Sequence, residues 1–244
     1  MNSLEIYVEN ISKQFKDVLA LDDVSMRFEN GNLYGVIGPA GAGKTTLFRI
    51  MLDLLRANTG RIVYRKSGRD VRYTQIQENI AYMPQSQSLY SDLSVAEHLD
   101  FFRKLYGLSD ADFEHKKREL LHLARLDEFA DRPAGKLSGG MYKKLGLICA
   151  LLRSPQIMLL DEPTNGVDPI SRREFWDLLH GARNQGILVL ITTAYMDEAE
   201  RCNRVVMMER GRVLAVGAPE ELLDKYNSRN FDELFLKRAE ALDE

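Results

Sequence analysis

One stretch of this chain has the residue types and spacing to grip phosphate: Gly38-Pro39-Ala40-Gly41-Ala42-Gly43-Lys44-Thr45-Thr46. Glycines let the backbone curl until successive N–H groups converge, and a helix N-terminus adds partial positive charge, so the two together cradle phosphate oxygens. In the pattern G-x-x-x-x-G-K-[ST] the lysine sits on the outer phosphates and the following hydroxyl turns to magnesium. Those roles fall to Lys44 and Thr45. The stretch follows the apolar run Leu33, Tyr34, Val36, Ile37 and opens the helical segment Leu47 to Leu52. Strand before and helix after are the context that separates a phosphate loop from a chance string.

A second group ends the run Ile157-Met158-Leu159-Leu160: Asp161 and Glu162, then Pro163-Thr164. Four apolar residues without alternation suit a strand buried on both faces of a parallel sheet. Carboxylates at its carboxyl end would face the phosphate loop across the sheet edge. There Asp161 can hold magnesium through water and Glu162 can polarise the water that attacks a terminal phosphate. A solvated acidic turn is the plainer alternative, but a buried strand rarely ends in two carboxylates without a cation to justify them.

Three further places carry candidates. Ile80-Ala81-Tyr82-Met83 is stopped by Pro84, so Gln85 should emerge on a loop at the strand's carboxyl edge, where open α/β sheets bind ligands. Ser138, an N-cap type, precedes the apolar stripe Met141, Leu145, Ile148, Cys149, Leu152, and Gly139 and Gly140 leave that helix N-terminus bare enough for an anion. Ser-Gly-Gly is also a common loop string, and alone it decides nothing. Phe15, in Lys13-Gln14-Phe15-Lys16, reads in isolation more as packing than as function.

The elements that must position these residues alternate along the chain. Leu4, Ile6, Val8 and Val24, Met26, Phe28 have strand periodicity, and Lys66 to Gln77 is a polar hairpin or loop. From about Ser91 to Ser154 only helical patterns occur, beginning with a helix capped by Ser94 and ended by Gly107, then one from Asp110 to Arg125. That block reads as a helical subdomain inserted in an α/β core. Pro169 starts a helix, Ile187 to Ile191 is another buried strand, and Val205–Met208 with Arg212–Val216 forms a hairpin turned at Arg210-Gly211. The expected division is a domain over 1–226 and a short amphipathic tail over 227–244, with Phe231, Leu234, Phe235, Ala239 and Leu242 on one side. That stripe favours packing on its own domain over packing on a partner.

Composition narrows the class. The 244 residues, 45% apolar and 28% charged, are those of an ordinary globular protein with a sizeable core. A net charge of −3 without a basic block gives no electrostatic reason to expect nucleic acid. No signal-peptide run opens the chain, and Leu145 to Leu152, the longest apolar stretch, is too short to cross a bilayer, so a cytoplasmic location is expected. Cys149 and Cys202 have neither metal-ligand nor disulfide spacing and read as small buried hydrophobes.

Taken in order, these motifs resemble the nucleotide-binding domain of ATP-binding cassette transporters over nearly the whole chain. The most specific element is Leu137-Ser138-Gly139-Gly140 shortly before the apolar-Asp161-Glu162 strand. The resemblance implies a RecA-like P-loop NTPase core with a parallel sheet, an N-terminal antiparallel β subdomain and the inserted helical subdomain. It implies ATP and Mg2+ as ligands, and head-to-tail pairing with a second cassette whose Ser138–Gly140 equivalent closes over this phosphate loop. By the same resemblance Phe15 stacks on adenine, Gln85 touches magnesium and relays nucleotide state, Glu162 is the catalytic base beside Lys44, and Asp168 couples the two sites. An integral-membrane permease is the implied second partner, which would hold the chain on the inner face of the membrane. Gly166-Val167-Asp168-Pro169 and Tyr195-Met196-Asp197-Glu198-Ala199 are similar to the bacterial branch that exports drugs, polysaccharides or lipids.

One position departs from the family pattern. Where the family places a histidine after the strand at Ile187, this chain has Ala194, and His98, His115, His122 and His180 lie elsewhere. Alanine neither donates a hydrogen bond nor carries charge, so turnover at this site is expected to be reduced; one such donor is typically worth about 3 kcal/mol. Three readings fit equally: a degenerate site paired with a competent one, a differently arranged slow site, or an engineered substitution.

Overall fold

The computed structural model describes residues 4–86 and 88–241; Leu242 of the tail stripe lies outside them. The chain opens with a hairpin of β1 (Leu4–Phe15) and β2 (Val18–Phe28), longer than the two short strands that alternation predicts. Bulges hide the remainder from a period-two reading. Asn10 and Asp23 take φ of 49° and 50°, and the pairing slips between Val8 and Ile11 and again between Ile11 and Lys13. The Asn10 side chain donates to Asp23 Oδ1 at 2.9 Å, and its backbone N–H donates to Ser25 Oγ at 2.9 Å. Each extra residue returns the next apolar side chain, Ile11 or Leu21, to the buried face.

Next come β3 (Leu33–Ile37), the glycine loop and α1 (Lys44–Met51). The strands β4 (Thr59–Lys66) and β5 (Arg69–Val71) join the hairpin in an antiparallel sheet ordered β2-β1-β4-β5. After β6 (Ile80–Met83) the chain leaves the sheets for α2 (Val95–Tyr106), α3 (Asp110–Ala124) and α4 (Gly139–Leu151). Ser94 and Glu97 form a capping box on α2: the Ser94 N–H donates to Glu97 Oε2 at 2.7 Å, and the Glu97 N–H donates to Ser94 Oγ at 3.2 Å. The chain then runs through β7 (Ile157–Asp161), α5 (Pro169–Asn184), β8 (Leu188–Thr193), β9 (Arg204–Glu209), β10 (Arg212–Gly217), α6 (Pro219–Lys225) and α7 (Phe231–Glu240).

The second sheet is ordered β10-β9-β3-β8-β7-β6, parallel except for β10. Its central strands are buried on both faces, which is why β7 and β8 read as unbroken apolar runs. Met158, Leu160, Val189 and Ile191 point into a core shared with α3, α4 and α5, while Ile157, Leu159, Leu188 and Leu190 point into a second core under α1 and the antiparallel sheet. Phe231 and Leu234 of α7 are buried in the first core, so the tail packs on its own domain as far as it is described. Both cysteines are buried, and burial pushes their thiols far above the ordinary cysteine range. No helix among the described residues is long and apolar enough to cross a membrane. This sheet order brings the loops after β3, β6, β7 and β8 to one carboxyl edge.

Candidate functional site

At that edge the glycine loop wraps the start of α1. Gly43, its N-cap, takes φ 99°, and a Cβ there would stand 2.5 Å from the Ala20 carbonyl of β2, so the position needs glycine for both reasons. The tight turn folds Lys44 inward until it is only 4% exposed, and its Nζ donates to the carbonyls of Gly38 at 2.7 Å and Pro39 at 2.9 Å. Burial pushes the Lys44 ammonium below its usual range, opposed by the Glu162 carboxylate, whose Oε1 lies 3.5 Å away.

The acidic pair meets this loop as its position in the sequence predicts. Thr45 Oγ1 donates to Asp161 Oδ1 at 3.0 Å, and Thr192 Oγ1, at the end of β8, donates to the same oxygen at 2.6 Å. Asp161 is fully buried, yet its Oδ2 has no hydrogen-bond partner among the described residues. An orphaned carboxylate oxygen beside a threonine hydroxyl is a hard, oxygen-only donor set, and it fits a magnesium ion that keeps most of its own water. Glu162 holds an uncommon backbone, φ 45°, with its N–H donating to Thr192 Oγ1 at 2.9 Å and to the Thr192 carbonyl at 3.2 Å. A non-glycine residue in the left-handed region persists only where its surroundings over-determine it, and such positions gather at functional sites. Its Oε2 accepts from Gln85 Nε2 at 2.7 Å and from Asn165 Nδ2 at 3.5 Å. Segments after three strands, β3, β6 and β7, thus converge on one carboxylate, and the end of β8 holds its backbone.

Comparison with known proteins gives the family. The family profile described as ABC transporter matches residues 21–165, more than half of the chain and including the glycine loop, Gln85, Ser138 and the acidic pair. The chain belongs to the ABC transporter family of ATP-binding proteins. Among curated relatives, a probable multidrug ABC transporter ATP-binding protein of Escherichia coli is 38% identical over 95% of this chain, which spans 40% of that relative's length. A Nod factor export ATP-binding protein of Cupriavidus metallidurans is 36% identical over 90% of this chain and 73% of its own. A solved ATP-binding subunit of an ABC transporter superposes with a TM-score of 0.83 at 28% identity, covering 96% of this chain and 99% of that one. One from Clostridium perfringens, part of the transporter complex cbiONQ, gives 0.80 at 27%, covering 97% and 94%. Members of this family are in general ATPases, and their ATP-binding subunits work within transporter complexes.

The remaining cassette residues lie apart from the carboxylate cluster. Ser138 caps α4, accepting from the Met141 N–H at 3.3 Å, and with Gly139 it is exposed. Gly140 is buried against the first turn of α5: a Cβ there would collide with the Ser171 side chain, and Gly139 faces the Gly166 carbonyl. Asp168 is the N-cap of α5, its Oδ1 accepting from the N–H groups of Ile170 at 3.1 Å and Ser171 at 3.0 Å, which hold its carboxyl below the usual range. No hydrogen bond or ion pair among the described residues joins Ser138–Gly140 to this chain's own phosphate loop. Phe15 stands exposed at the end of the β1–β2 hairpin with Lys13 Nζ 5.1 Å from its ring centroid, on the strand pair that reaches the phosphate loop at Ala20.

The end of β8 and the loops after β7 and β8 hold the departure and four residues to which pattern reading gives no role. Ala194 is exposed, and a cavity of about 110 Å³ opens between it and Glu162, Thr164, Asn165, Thr193 and Tyr195. None of the histidines reaches it: His98 is buried between α2 and the Tyr90 N–H, His180 lies beside Trp176, and His115 and His122 are exposed on α3. Thr192, Asn165, Tyr195 and Glu198 each touch the site or its support. Of these, Thr192 left a signal in the sequence, as one of two polar residues, with Thr193, that end an otherwise apolar buried strand.

Proposed function

We propose that this chain is the subunit that binds and hydrolyses ATP to power a transporter, in the direction of export, by closing head to tail on a second cassette. The observation that carries the reading is the Glu162 carboxylate, 3.5 Å from Lys44 and 2.7 Å from Gln85, beside the Thr45–Asp161 pair. The phosphate loop N–H groups and Lys44 bind the phosphates, and Phe15, on the neighbouring hairpin, stacks on the adenine. Thr45, Asp161 and Gln85 would hold magnesium, which supplies charge that stabilises the outer phosphates. Glu162 orients a water for in-line attack on the terminal phosphorus and takes its proton as the bond to the bridging oxygen breaks.

The pairing is supported by the exposed, capped N-terminus of α4, a donor-rich surface that this chain's own phosphate loop does not engage. It would deliver Ser138, Gly139 and Gly140 to the partner's terminal phosphate, with Asp168 beside them at the interface. A membrane permease would complete the assembly and hold the chain at the inner membrane face, and the export direction is supported by the names of its relatives. Nucleotide binding tests the core of this reading. Lys44→Ala is expected to weaken MgATP binding by about ten- to a hundredfold in calorimetric titration, since a charge-assisted contact to phosphate is lost. Unchanged affinity would remove the phosphate-loop assignment.

A second reading rests on Ala194: a degenerate, slowly hydrolysing cassette paired with a competent one. Here Ala194→His is the discriminating substitution, with space for an imidazole in the cavity beside Glu162. If the site is slow for lack of that donor, the variant should raise kcat by about tenfold or more with little change in KM. Brisk turnover by the unsubstituted chain, not improved by histidine, would dismiss the degenerate reading.

A further inference from the structure

The loop that lacks the histidine still reaches Glu162, by another route. Tyr195, next to Ala194, donates its hydroxyl to Asn165 Oδ1 at 3.3 Å, and Asn165 Nδ2 donates to Glu162 Oε2 at 3.5 Å. We propose that Tyr195 and Asn165 are a positioning pair for Glu162, standing in for the contact that residue 194 cannot make; this rests on the reading of Glu162 as the base.

An amide has one accepting and one donating end, and only one orientation of Asn165 serves both neighbours. With Oδ1 under the tyrosine hydroxyl, the NH2 group faces the carboxylate. Reversed, Oδ1 would face Glu162 Oε2, two acceptors with no proton between them. The acceptor-only carboxylate of Glu162 sets the amide face it meets, and the Tyr195 hydroxyl, donating to Oδ1, holds the amide in that orientation. The longer Asn165–Glu162 contact is of a kind that tightens when substrate closes a site.

Beyond its hydroxyl, Tyr195 itself is held at two points. Its N–H donates to Thr193 Oγ1 at 3.0 Å, the Arg172 guanidinium lies 4.6 Å from its ring centroid, and Arg172 is fixed in turn by Asp197 and Glu198. Glu162 needs such external control. Its φ of 45° is held by two hydrogen bonds from its N–H to Thr192, but among the described residues its carboxylate pairs with three polar neighbours: Lys44, Gln85 and Asn165. Lys44 is buried in the phosphate loop, while Gln85 and Asn165 are both exposed; of these two, Asn165 is tied through the Tyr195 hydroxyl, and the Tyr195 ring lies against Arg172 of α5. Removing the pair leaves a carboxylate free to swing from the attacking water, and an error of an ångström in such a group is costly in rate.

Steady-state MgATP hydrolysis by the purified chain tests this. Tyr195→Phe keeps the ring over Arg172 and removes only the hydroxyl, so kcat should fall by about three- to tenfold, the worth of one hydrogen bond, with KM for ATP and the melting temperature unchanged. Asn165→Ala should fall at least as far, and adding Tyr195→Phe to it should cost nothing more, because the hydroxyl acts only through the amide. An unchanged kcat in Tyr195→Phe, additive losses in the double variant, or a loss matched by a lower melting temperature would each overturn the proposal while leaving the ATPase reading intact. Absence of turnover in the unsubstituted chain would instead remove that reading, and this pair's role with it.

Discussion

Glu162→Gln is expected to lower ATP hydrolysis by ~10²–10⁴-fold while leaving MgATP affinity within about twofold. The substitution conserves volume, and the new amide oxygen can still accept from Gln85 Nε2, which now lies 2.7 Å from Oε2. Lys44 loses a charge 3.5 Å away but keeps the Gly38 and Pro39 carbonyls, so the phosphate loop retains its shape. What disappears is the capacity to take a proton from water, which is needed in the transition state alone. A variant that binds and does not hydrolyse should also accumulate as a dimer when MgATP is present in size-exclusion chromatography, because the closed pair cannot reopen by turnover. Turnover above about a third of the unsubstituted rate would remove Glu162 as the base. A monomer under saturating MgATP would instead count against the head-to-tail pairing.

The parts of this molecule that were legible in the sequence are those governed by local rules. A glycine loop between an apolar strand and a helix, a serine before an apolar stripe, and proline at a helix start are decided within a few residues, and Lys44, Thr45, Ser138 and Pro169 stand where those rules put them. The meeting of Asp161 with Thr45, 116 residues apart, was legible because continuous apolar runs identify parallel strands and such strands share a carboxyl edge. What escaped depends on irregular backbone or on side-chain reach. The bulges at Asn10 and Asp23 shift the alternation and conceal half of the first hairpin. The left-handed φ of Glu162 has no signature in its residue type, since glutamate rarely adopts it. Asn165 and Tyr195 meet only because the loops after β7 and β8 lie side by side, and an asparagine in a turn or a tyrosine in a loop is unremarkable alone.

The same two loops depend on Glu198, and its removal should cost more stability than any other single change near the site. Glu198 is fully buried at the start of the segment after β8, where a carboxylate needs partners to justify its loss of water. It has three: Arg172 Nε donates to Oε1 at 2.7 Å, Trp176 Nε1 donates to the same oxygen at 3.1 Å, and Thr164 Oγ1 donates to Oε2 at 3.1 Å. These tie the segment after β8 to α5 and to the loop that follows Glu162. Glu198→Ala would leave a cation, an indole N–H and a hydroxyl without their acceptor, and breaking such a buried pair from one side costs about 3–5 kcal/mol. For a domain of this size that lowers the melting temperature by about 6–20 °C. Glu198→Gln keeps an acceptor for Arg172 and should lose less, so the two variants separate burial of charge from loss of packing. Because Arg172 also carries the Tyr195 ring, Glu198→Ala should lower kcat even at temperatures where the variant remains folded. A variant that melts within about 2 °C of the unsubstituted chain would mean that the network contributes little to stability, and that the loops around Glu162 are held by their backbone alone.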